Sequence, residues 1–173
     1  GSGGFSGAPN AGNRFVYAYQ PTLTVTPINQ RVTYNGQIPT LSALISGLIN
    51  GDLAADAWSG APLLSGATSR NAGTYGLSAS LGSLLSDMNY AFSFGSGTLI
   101  IDPRALTGRV IADNRVYDGT TGATGSIGLT GVVAGDNVGA SGTLTFDNRN
   151  AGLGRTVNAT NATLSGADAG NYT

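Results

Sequence analysis

The sequence predicts a mostly β protein with little helix, arranged as two elongated small domains in tandem, each a sandwich or a β-grasp-like fold. Three observations carry that expectation. All eight basic residues are Arg and all nine acidic residues are Asp, so the strong helix formers Lys and Glu are absent, and Asp favours turns and caps over helix interiors. Glycine occurs 28 times among abundant Thr, Ser and Asn, a composition of strands joined by many turns. Finally, a unit of roughly 80 residues, a plausible domain size, is present twice.

The repeat rests on four ordered matches. Tyr34-Asn35-Gly36 recurs as Tyr117-Asp118-Gly119, and Gly47-Leu48-Ile49-Asn50-Gly51-Asp52 recurs as Gly131-Val132-Val133-Ala134-Gly135-Asp136. Arg70-Asn71-Ala72-Gly73 returns as Arg149-Asn150-Ala151-Gly152, and Asn89-Tyr90 as Asn171-Tyr172. These matches give a flexible leader over 1–14, a first domain over 15–102 and a second over 103–173. Tyr-Asp/Asn-Gly is expected to be a turn in which Gly supplies positive φ and Tyr anchors the corner against its sheet.

The elements follow in order. Phe15, Tyr17 and Tyr19 alternate ahead of "TLTVTP" at 22–27, as Tyr90, Phe92 and Phe94 alternate ahead of "TLIIDP" at 98–103. Both are expected to be aromatic-faced strands running into a proline, with Tyr90, Phe92 and Phe94 buried and the first copy belonging by position to a preceding unit. Leu23 and Val25 share one face of their strand, opposite Thr22, Thr24 and Thr26. In "TLSALISGL", Leu41, Leu44, Ile45 and Leu48 fit a helical face behind Thr40, while Leu41, Ala43 and Ile45 fit a strand. The matching "ATGSIGLTG" is a poor helix former that alternates at Ile127 and Leu129, so a strand is expected in both copies. "GDLAADA" at 51–57 reads as one helical turn capped by Asp52. Tyr75, Leu77, Ala79 and Leu81, and later Leu144 and Phe146, alternate as strands do.

Chemistry is sparse. Without His, Cys, Lys or Glu, general-base and thiol catalysis lose their usual side chains, so no catalytic residue, no cofactor and no enzyme activity are expected. Asp52 and Asp136, in matching loops, are the calcium candidates, but no D-x-[DN]-x-[DN]-G run completes a site. A net charge of −1 with scattered Arg gives no footprint for nucleic acid. No apolar run reaches the roughly 20 residues of a membrane helix, so membrane insertion is not expected. Trp58 or Tyr34, if exposed, would offer a stacking platform for an extracellular polysaccharide or a host or matrix surface.

The stretches "LTVTP", "RVTYNGQIPTL", "SGLINGD", "NAGTY" and "NYAFSFGSGTLIIDP" together resemble an MBG domain. "LTGRVIADNRVYDGTTGATGSIGLTGVVAGDNVGASGTLTFDNRNAG" with "LSGADAGNYT" resembles a YDG domain. In that resemblance Tyr117, Asp118 and Gly119 carry the signature turn, and Tyr34, Asn35 and Gly36 its relaxed counterpart. It implies tandem repeats of filamentous-haemagglutinin or two-partner-secretion adhesins, acting in attachment or biofilm matrix at the surface of a Gram-negative bacterium or outside it. The second unit stops where its aromatic strand should begin, while residues 15–26 read as a spare copy. Head-to-tail self-association by strand addition is one expectation; the plainer one packs residues 1–27 on the first unit.

Overall fold

The computed structural model describes residues 20–173; the leader and the aromatic segment at 15–19 lie outside the described residues. The first unit comprises β1 (Thr22–Pro27), β2 (Gln30–Thr33), β3 (Ala43–Ser46), the one-turn helix α1 (Ala54–Ala57), β4 (Trp58–Ser59), β5 (Leu63–Ser65), β6 (Gly73–Ser80), β7 (Leu85–Ser86), β8 (Ala91–Phe94) and β9 (Ser96–Asp102). The second comprises β10 (Thr107–Ala112), β11 (Gly125–Thr130), β12 (Gly139–Phe146), β13 (Val157–Ser165) and a 3-10 turn, Ala169–Asn171. The protein is mostly β, in four small sheets ordered β3-β1-β8, β2-β9-β6-β5, β4-β7 and β10-β11-β12-β13.

Alternation explains the placement of each strand. Leu23 and Val25 of β1 are fully buried and its threonines are half-buried, as expected for a strand lying antiparallel to β3 and parallel to β8. In β9, Leu99 and Ile101 are 0% and 2% exposed. That strand is central, parallel to β2 and antiparallel to β6, so its inward face meets core on both sides. The ambiguous stretch near Leu44 is strand β3, since pairing with β1 satisfies its backbone.

The two units share three pairings in matching register. Thr24 faces Ser46 in the β1–β3 pair, and Thr107 faces Thr130 in β10–β11. Leu64 faces Ala79 across β5–β6, and Leu144 faces Ala159 across β12–β13. Ala91 N donates to Pro21 O at 2.8 Å, and Thr173 N donates to Arg104 O at 3.0 Å. These registers correct one sequence equivalence: "TLTVTP" corresponds to residues 105–110 at the start of the second unit, and "TLIIDP" is the distinct strand β9. Of the segment read as a spare strand, residues 22–27 are β1 of the first unit itself.

The units differ where β9 lies. β2 pairs with β9 alone, and residues 73–76 of β6 also pair only with β9. Their counterparts in the second unit, residues 113–116 and 152–156, form no strand.

Two local expectations are also corrected. The residue before α1 is Leu53, with no side-chain cap; the Asp52 carboxylate instead accepts from Tyr90 Oη at 2.5 Å. Phe94 is 40% exposed, because β8 is an edge strand of its sheet, whereas Tyr90 is buried. One hydrophobic cluster crosses from unit to unit, uniting Tyr34, Leu77, Leu99 and Ile101 with Tyr172, and drawing in Val132, Val133 and Leu164.

Candidate functional site

The junction between the units is a clasp built from the repeated residues. Tyr34 follows β2, where Tyr34 N donates to Asp102 O at 2.8 Å, and its ring bridges Leu77, Leu99 and Ile101 of its own sheet and Tyr172 of the other unit. Tyr34 is 1% exposed and sits edge-on to Tyr172, ring centroids 5.4 Å apart at 79°. Both phenols donate to one oxygen of Asp136: Tyr34 Oη at 2.7 Å and Tyr172 Oη at 2.5 Å from Oδ2. Val133 N donates in turn to Tyr172 Oη at 2.9 Å. The other oxygen, Oδ1, makes no hydrogen bond and faces Arg70 Nη2 at 3.2 Å; Asp168 lies 3.8 Å from the same guanidinium.

A second contact runs beside the first. Asn171, itself buried, accepts from Ala72 N at 2.8 Å through Oδ1 and donates to Asn71 Oδ1 at 3.3 Å. Gly36 is required twice over: its φ is +80°, and a Cβ there would stand 2.9 Å from Val133 Cγ1. The glycine of the Tyr-Asn-Gly turn thus permits the approach of the neighbouring unit as well as the turn.

The electrostatics favour one protonation pattern. The Asp136 side chain is fully buried, yet its carboxyl is held below the usual range by the Tyr172 hydrogen bond first, then by Tyr34 and Arg70. Burial, reinforced by the bond to Asp136, pushes the Tyr34 phenol up to about 12. Tyr172 moves the same way for the same reasons. A buried carboxylate with two phenol donors and a guanidinium is a satisfied structural charge, for which loss of one partner is costly.

The first unit carries the same inner arrangement: Tyr90 Oη donates to Asp52 Oδ2 at 2.5 Å and accepts from Ile49 N at 3.1 Å. Asp52 N and Asp136 N donate to Ile49 O and Val133 O at 3.0 and 3.1 Å. The calcium candidates are therefore the acceptors of matching tyrosine corners, and the described residues hold no group of three metal-ligating side chains.

The two signature turns part company. Tyr34 packs with Leu77, Leu99 and Ile101 of its own sheet and also reaches the other unit through Tyr172 and Asp136; being buried it offers no stacking platform, and Trp58 is half-buried beside Leu23, Ala57 and Tyr90. Tyr117 is 63% exposed. Asp118 holds its turn by accepting from Thr120 N at 2.9 Å, which lowers its carboxyl, and pairs with Arg115 at 2.6 Å. Arg115 also lies over the Phe146 ring, 5.3 Å from its centroid. Around these residues opens a cleft of about 400 Å³. The sequence marks Arg70, Asn71 and Asn171 as repeated and gives them no role; the signal for one is that each of the four matches supplies a residue to the junction.

Comparison with known proteins agrees with this division. Residues 23–100 match the MBG domain of the YGX type, and residues 102–173 match the YDG domain. No curated protein and no solved structure matches the chain.

Proposed function

Starting from an MBG domain followed in tandem by a YDG domain, we propose that this segment is a structural repeat of a large bacterial surface protein, serving attachment or the biofilm matrix. Its task is to hold successive units at a fixed spacing and orientation outside the cell, on the adhesin plan of the filamentous-haemagglutinin type. The role is mechanical and not catalytic. The observation that carries this reading is the clasp: the residues kept between the two copies are those that lock one unit onto the other, with Tyr34 and Arg70 gripping Asp136 across the junction. A chain selected for a binding pocket would repeat the pocket; this one repeats a joint.

The test is attachment by cells carrying the encoding gene with residues 22–173 deleted, compared with cells carrying the segment with Asp136→Asn. Deletion is expected to lower surface attachment, and the single substitution to lower it partially by loosening the joint. Unchanged attachment after deletion would refute the role. Glycan-array binding by the purified chain would favour a carbohydrate- or matrix-binding module in its place.

A further inference from the structure

The second unit has an open cleft where the first has a strand. In the first unit β9 runs between β2 and the first half of β6, and its Leu99 and Ile101 are the most deeply buried residues of that sheet, with Leu77. In the corresponding segments of the second unit, 113–116 and 152–156, residues 113–115 and 152–155 line the cleft together with Tyr117, Phe146 and Val157. Both segments are irregular, and Val116 and Leu153 turn into solvent. The second unit accordingly buries little in this half: Leu144 and Tyr172 are its buried apolar residues, and both lie outside the two segments.

We propose that this cleft is a strand acceptor, which takes an extended β9-type segment leading into a further unit of the same kind. The incoming strand lies parallel to residues 113–116 and antiparallel to residues 152–157, as β9 lies to β2 and β6. Two alternate apolar side chains fill the cleft as Leu99 and Ile101 fill the first unit, and the backbone groups of both flanks gain partners. Polar residues at the rim complete the likeness. Tyr117 and Arg149 hold the positions from which Tyr34 and Arg70 grip the second unit, so the end that receives the strand also presents the donors of a clasp. The proposal deepens the repeat reading, but it is tested on the purified chain, so it can fail while the attachment experiment succeeds.

The experiment adds a synthetic peptide of the sequence SGTLIIDP, that of residues 96–103, to the full chain and follows amide exchange by NMR. Saturable binding is expected, with exchange at residues 113–116 and 152–156 slowed about tenfold or more. A peptide carrying the change Ile100→Pro is expected to bind at least about tenfold more weakly, since proline removes a backbone donor from the added strand. No protection of those amides up to the solubility limit, or equal binding of the proline peptide, overturns the proposal. Sedimentation distinguishes the source of the strand: the chain alone is expected to be monomeric. A concentration-dependent oligomer that the peptide dissociates would assign the cleft to a second copy and overturn the assignment to a further unit.

Discussion

Tyr34 donates to a carboxylate 102 residues away in sequence, and the junction's pH response follows from that pair. With its phenol pushed up to about 12, against about 10 for an exposed tyrosine, the folded chain keeps a proton that the unfolded chain has lost. Its contribution is complete below about pH 10 and disappears as pH climbs toward 12. Asp136 works in the opposite sense. Its lowered carboxyl contributes fully above about pH 4 and loses that contribution as acid protonates the folded form. Melting temperatures are thus expected to fall on both flanks; Asp136→Asn should flatten the acid flank, and Tyr34→Phe should shrink the alkaline one while costing about 1 kcal/mol near neutrality. The paired turns allow a sharper comparison by chemical denaturation. Gly36→Ala meets both a φ of +80° and the Val133 side chain, whereas Gly119→Ala meets a φ of +74° with no neighbour nearer than 3.9 Å. The first is expected to be the more destabilising, and the second to cost about 1–2 kcal/mol of backbone strain alone. Sequence reading found these residues because a repeated contact needs repeated side chains. It could not say what they touch, since nothing in Tyr-Asn-Gly encodes which surface the ring meets.

Among the strands, β9 dominates. Its two inward residues are buried on a central strand, so Leu99→Ala is expected to cost about 2–5 kcal/mol in denaturant unfolding. Val157→Ala, at the edge of the cleft, should cost less, because its surroundings are already open; equal losses would contradict the contrast. The strands themselves were legible from alternation and from the scarcity of helix formers, including β3, where the weak helix propensity of the second copy decided between two periods. Equivalence between strands was harder to read. "TLTVTP" and "TLIIDP" share a pattern of threonine, apolar residues and a closing proline, but hydrogen-bond register places one in β1 and the other in β9. Composition carries the alternation of a strand and says nothing of its neighbours, which is also why the exposed edge position of Phe94 escaped notice.

At the scale of the whole chain, the sheets remain separate while the hydrophobic cluster is shared across the junction. Calorimetry is therefore expected to record one unfolding transition for the two units. Tyr34→Ala, which removes the ring and a donor to Asp136 together, should divide it into two; two transitions in the unaltered chain would show the junction to be energetically minor. The parallel pairing of β1 with β8 has a further consequence under load. Tension entering at the start of β1 and leaving at the end of β9 pulls two parallel strands past each other in opposite directions. Their hydrogen bonds lie across the line of pull and must rupture together, in shear, whereas pulling from Thr22 and Ala91, which face each other in the register, opens the same bonds one at a time. Single-molecule stretching between residues 22 and 102 is expected to require a markedly higher rupture force than stretching between residues 22 and 91. A surface filament assembled from such units would yield abruptly at high force, holding its length under flow until a whole unit gives way.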